Sequence, residues 1–142
     1  MTRFLYTLLL FCIAFPMASK GQVTVVPGAT AAMLASKLVG TGVTIISPTL
    51  TCPSNANGTF SGISSLSFDS GIVLTNGQAA TLGSTNGAFG PASFMASKDN
   101  STAGDAQLTA LCGNPTYDAC ILEFDFRPTG DTVKFDYVFG SE

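Results

Sequence analysis

Apolar and polar residues alternate most regularly at the end of the chain, in CILEFDFRPTGDTVKFDYVFGSE, residues 120–142. Successive side chains of a strand point to opposite faces, so Cys120, Leu122, Phe124 and Phe126 share one face while Ile121, Glu123 and Asp125 share the other. After RPTGD the period resumes, with Val133, Phe135, Tyr137 and Phe139 on one side and Lys134 and Asp136 on the other. Two strands of equal period joined by a loop containing Pro and Gly predict an antiparallel hairpin. Each strand offers three or four large side chains, worth about 1.5 to 3 kcal/mol apiece when buried. Such a row needs a second layer to cover it, so the expected fold is mainly β, an antiparallel, jelly-roll-like β-sandwich.

The period turns helical once, in ATAAMLASKLVG (29–40), where Met33, Leu34, Leu38 and Val39 recur at helical spacing. Thr30 can cap this segment and Gly40 can stop it, which predicts one short N-terminal helix. QVTVV (22–26), VTII (43–46) and IVLT (72–75) are β-prone runs, and TFSGISSLSF (59–68) alternates around Phe60, Ile63, Leu66 and Phe68. Asn76-Gly77 predicts a tight turn, and SPTLTCPSNANG (47–58) reads as loop. AQLTALCG (106–113) fits a helical turn or a short strand equally well.

Residues 77–105 are small and polar, a composition typical of surface loops, which often carry function. Within them KDNSTAGDAQL gathers Asp99, Asn100, Ser101 and Asp105, oxygen donors of the kind calcium takes. The spacing is not that of an EF-hand loop. Asn57-Gly58-Thr59 and Asn100-Ser101-Thr102 fit the N-glycosylation pattern and are expected on exposed loops.

Composition narrows the chemistry. The 142 residues are 46% hydrophobic and 11% charged, enough apolar material for one buried core and too little basic charge for nucleic acid. The segment 1–21 has a basic start at Arg3, an uncharged apolar run at 5–15 and the small-residue ending PMASKG. That is the pattern of an export signal, cleaved after Gly21 and shorter than the roughly 20 apolar residues a spanning helix needs. Cys12 follows Phe11 rather than a small residue, which argues against lipid attachment there. The mature chain, 22–142, then holds four basic and nine acidic residues, a net charge of −5 that favours cations or neutral polar ligands. The membrane is expected to be met only through the export signal.

Export permits disulfides, yet the mature cysteines are three: Cys52, Cys112 and Cys120. Cys112 with Cys120 would close a short loop, and Cys52 with Cys120 would tie an early loop to a core strand; both pairings are open. The chain has no histidine, so a Ser-His-Asp or Cys-His arrangement cannot be built and a structural zinc site is not expected. A carboxylate pair could still cleave glycosides, and Glu123 with Asp125 is the candidate, although two acids on one polar strand face usually mean solvated charge.

Taken together, VTVVPGATAAMLASKLVGTGVTI, GTFSG, FDSGIVLTNG, GDAQLTAL and DACILEFDFRPTGDTVKFDYVFGSE resemble the choice-of-anchor L domain, a module of secreted and surface proteins of Bacteroidetes-type bacteria. The resemblance covers nearly the whole mature chain. It implies a non-catalytic exported protein, secreted or at the cell surface, serving adhesion or surface display within a larger anchored polypeptide. Family members continue past the point where this sequence ends, so it implies an incomplete domain whose remainder, beyond Glu142, is itself a partner. Ser141 and Glu142 match the start of the family's acidic motif, and Asp99, Asp105 and Glu142 form the candidate calcium set. The alternative function is a calcium-dependent carbohydrate-binding module; a surface glycan or a protein is the expected external partner.

Overall fold

The computed structural model describes residues 23–62, 68–80 and 97–140. The expected export segment, Ile63, Leu66, Ser141 and Glu142 lie outside them. Seven elements follow in order: β1 (Thr24–Pro27), α1 (Ala31–Leu38), β2 (Val43–Thr51), β3 (Asn57–Ser61), β4 (Ser70–Leu74), α2 (Ala106–Cys112) and β5 (Ile121–Pro128). β1, β3 and β4 form one antiparallel sheet in that spatial order, and β2 pairs with β5 in a second. The architecture is mainly β and antiparallel as expected, but the described sheets do not close into a sandwich. Helix α1 packs against β2 and β5 and also against β3 and β4, so it bridges the two sheets.

In the first sheet Val25 stands opposite Phe60. With Val73, Ala79 and Ala80 these residues form a buried cluster, and Val23 and Phe68 pack onto it. Gly71 lies across from Phe60, and a Cβ there would come within 2.8 Å of the Phe60 ring. The ring therefore occupies the space a side chain at 71 would need. In the second sheet Ile45 faces Phe126 and Leu50 faces Leu122. Between the pairs Ile46–Asp125 and Thr49–Glu123 the register shifts, with Ser47 at φ 47° and two residues of β2 opposing one of β5. This bulge carries the strand through Ser47-Pro48 to Thr51, where loop was expected; a proline is tolerated because β2 has no second neighbour among the described strands.

Helix α1 begins as its sequence requires: the Thr30 hydroxyl accepts the N–H of Met33 at 3.3 Å. It ends at Leu38 with Val39 as C-cap, which leaves Gly40 just past the end, where it was expected. Its buried face also differs from expectation. Leu34 and Ala35 are fully buried, whereas Met33 is 54% exposed and Leu38 39% exposed. Between two sheets a narrow ridge suffices, and the small Ala35 allows the close approach that a stripe of Met33, Leu34, Leu38 and Val39 would have blocked.

The predicted terminal hairpin does not form. β5 has β2 as its partner, and residues 131–140 have no strand pairing. Val133, Phe135, Tyr137 and Phe139, expected to face inward, are 40% to 84% exposed. β5 runs on to Pro128 and so consumes two residues of the expected RPTGD loop, leaving only tight turns, which charge disfavours. A two-residue turn at Thr129-Gly130 would set Asp125 opposite Lys134 but Glu123 opposite Asp136. Moving the turn to Gly130-Asp131 would set Arg127 against Lys134 and Asp125 against Asp136. Like charges directly opposed are unfavourable. Instead Thr129 donates its N–H to the Gly42 carbonyl at 2.8 Å, prolonging the contact with β2.

If Leu34 is the keystone between the sheets, Leu34→Ala should cost about 2 to 5 kcal/mol in urea unfolding, while Met33→Ala should cost about 0.5 kcal/mol or less. Equal losses would contradict the placement of α1.

Candidate functional site

The polar residues of 97–119 organise around one carboxylate that the sequence did not single out. Asp118 is only 7% exposed and has positive φ, 53°. One of its oxygens accepts the N–H of Asn100 at 3.0 Å; the other accepts the N–H of Thr102 at 2.8 Å and the Thr102 hydroxyl at 2.9 Å. Hydrogen bonds to the charged form stabilise it. The Thr102 N–H, and after it the Asn100 N–H, hold the Asp118 carboxyl below its ordinary value, outweighing the opposing effect of burial. The clamp is reinforced by backbone bonds from Asp118 N–H to the Thr102 carbonyl and from Ala119 N–H to the Ala103 carbonyl, around a bridge between Ala103 and Tyr117.

A second set of contacts fixes the segment to its surroundings. The Asn100 side-chain amide donates to the carbonyls of Asn76 at 2.9 Å and Gly77 at 2.7 Å. The Asn76-Gly77 turn itself is held by the Thr75 hydroxyl, which accepts the Gly77 N–H. The Thr116 hydroxyl accepts the Asp105 N–H and meets the Thr109 hydroxyl at 2.7 Å. Gly104 is pressed against Thr116 so closely that a Cβ would overlap the Thr116 carbonyl. Asp105 caps α2 by accepting the Leu108 N–H, and Gly113, at φ 69°, closes the helix in the left-handed conformation. The segment left open between helix and strand is thus a helix.

Asp99, Ser101, Thr102, Ala103, Tyr117 and Asp118 line an open depression of about 680 Å³. Tyr117 is 72% exposed at its side. Of the candidate calcium residues, Asp99 is exposed and accepts the Ser101 N–H, Asp105 serves as the α2 cap, and Glu142 lies outside the described residues. Among the described residues no three Asp, Glu or Cys side chains gather closely enough to hold a metal ion. Glu123 and Asp125 stand exposed on β5 beside Ser47 and Thr49, along a shallow groove.

Cys52 and Cys120 are joined in a disulfide and Cys112 is a free, exposed thiol, which decides between the two pairings. The glycosylation patterns are not both on exposed loops. Asn57 is 3% exposed within β3, and the Asn100 amide is engaged with two carbonyls. The expectation fails because a three-residue pattern carries no information on strand pairing. Asp118 was missed for a similar reason: its partners are backbone N–H groups 16 and 18 residues away. The available hint was an Asp two positions before a strand-borne cysteine, facing an Asn-Ser-Thr run whose amides need acceptors.

No described helix is long and apolar enough to cross a membrane. The model of the family described as "Choice-of-anchor L domain" matches residues 23–142. Neither the curated proteins nor the solved structures yield a match.

Because its folded pKa is lowered, Asp118 contributes stability that is fully present above the ordinary carboxylate value of 3.8 and is lost as pH falls through the lowered folded value. Two-dimensional NMR titration should place its midpoint below 3.8, and Asp118→Ala should speed amide exchange at Asn100 and Thr102 relative to β3. A midpoint at or above 3.8, or unchanged exchange, would contradict the clamp.

Proposed function

As the chain belongs to the choice-of-anchor L domain family, a class of non-catalytic surface-associated modules, we propose that it is an exported adhesion or display module. Its contact face is the loop region around Tyr117. One observation carries this reading: the Asp118 clamp holds residues 99–102 in a set geometry beside an exposed aromatic ring. A loop ordered before contact loses less entropy on binding than a mobile one. The ring offers an apolar face and a polar tip, a combination suited to the C–H face of a sugar or to a protein surface. Ser101 adds a hydroxyl that can donate and accept, while the Thr102 hydroxyl, whose proton is given to Asp118, can only accept. The acidic balance of the chain, with nine acidic against six basic residues, directs the site toward neutral polar partners rather than anionic ones.

Binding of the full chain to a glycan array and to immobilised surface polymers, with calcium and with chelator, tests the proposal. Tyr117→Ala is expected to weaken binding about tenfold while the unfolding midpoint stays put. Binding that vanishes with chelator would favour the calcium-dependent carbohydrate module. Wild-type protein that binds nothing, or Tyr117→Ala that binds as wild type does, would overturn the assignment of this face.

A further inference from the structure

Residues 131–140 form a segment without strand pairing whose large side chains meet solvent: Tyr137 is 82% exposed and Phe139 84%. Among the described residues, only Phe135 of this segment has an aromatic neighbour, set edge-on to Phe126 with ring centroids 6.4 Å apart. Exposed, alternating, unpaired backbone is a template for strand addition. Pairing with β5 in the tight-turn registers opposes like charges, as shown above. A different partner opposes none. When the segment is laid antiparallel on a second copy of itself with the two-fold axis at Phe135, Lys134 of each copy faces Asp136 of the other. Val133 then faces Tyr137, Phe135 faces Phe135, and Gly130 faces Gly140 at the ends.

We infer that two copies of this chain associate through residues 131–140 as an isologous antiparallel strand pair centred on Phe135. The charge pattern specifies both orientation and register. Lys134 and Asp136 already lie together within one chain, Nζ to Oδ1 at 3.2 Å, with side chains 81% and 60% exposed. This solvated pair is worth little alone, so exchanging it for two cross-strand pairs loses almost nothing. The same register places Val133, Phe135 and Tyr137 of both copies on one face as cross-strand aromatic and β-branched neighbours, the combination that stabilises antiparallel pairs. A one-residue slip would move the apolar row to the opposite face and separate the charges. The inference goes beyond the display reading and does not depend on Tyr117.

Sedimentation equilibrium of the full chain, expressed with its leader and recovered after export, provides the test. Wild type should show a reversible monomer–dimer equilibrium. Lys134→Asp and Asp136→Lys should each weaken it about tenfold, because both cross-strand pairs become repulsive. An equimolar mixture of these two variants should recover the dimer, since 134 of one then faces an opposite charge at 136 of the other. Oxidation of Phe135→Cys in a Cys112→Ser background should give a covalent dimer, the two-fold axis bringing that residue onto its own copy. A wild type that stays monomeric, association unaffected by either charge reversal, or variants that fail to recover on mixing would each overturn the inference. Circular dichroism of the variants separates lost association from lost fold.

Discussion

The bond between Cys52 and Cys120 is the constraint on which the described structure rests, because it joins the end of β2 to the start of β5 through cysteines 68 residues apart in sequence. β2 and β5 form a two-stranded sheet, and two strands alone are marginal in water. Cross-linking across a loop of this length removes about 4 kcal/mol of unfolded-state freedom in chain-entropy terms. The sheet so held gives α1 one of its two supports, and the other is the sheet of β1, β3 and β4. Leu34 and Ala35 bury fully only because both supports are present.

The same bond positions the polar cluster. Asp118 lies two residues before Cys120, so the carboxylate that gathers Asn100 and Thr102 hangs from the covalent junction. On the far side the Asn100 amide reaches Asn76 and Gly77, which follow β4. One side chain thus links the loop to the first sheet while its own N–H is held by Asp118, which leads into the second. Order in residues 99–102 comes from anchoring at two points rather than from local propensity, and that is what lets Tyr117 present a fixed surface. Residues 131–140 stand in contrast: their apolar side chains have no comparable anchor apart from Phe135 against Phe126. The anchored polar loop and the unpaired apolar segment are the two surfaces to which the proposals above assign contact with other molecules.

Local chemistry was legible where the residue and its partner are close in sequence. Thr30 capping α1, the Thr75 to Gly77 turn and the alternation of β5 all follow from near neighbours. The mainly antiparallel β character followed from the same patterns. Pairing was not legible. Alternation assigns faces to Val133, Phe135, Tyr137 and Phe139 but says nothing of who their partner is. Ser47-Pro48 looks like loop until a bulge absorbs it, and Asn57 looks like an exposed glycosylation acceptor until β3 buries it. Three cysteines permit more than one pairing, and only the register of β2 with β5 selects Cys52 with Cys120. Asp118 escaped notice because a carboxylate serving backbone amides has no side-chain pattern to betray it.

A disulfide that carries both the β2–β5 ladder and the Asp118 clamp requires all three to open as one unit. Hydrogen exchange read by mass spectrometry, on the oxidised chain and after mild reduction, tests it most directly. Reduction should lower protection together in β2, in β5 and at residues 100–102, while β1, β3 and β4 keep most of theirs. Loss of protection in β2 and β5 with residues 100–102 unchanged would show that the clamp stands without the disulfide, and would contradict the account.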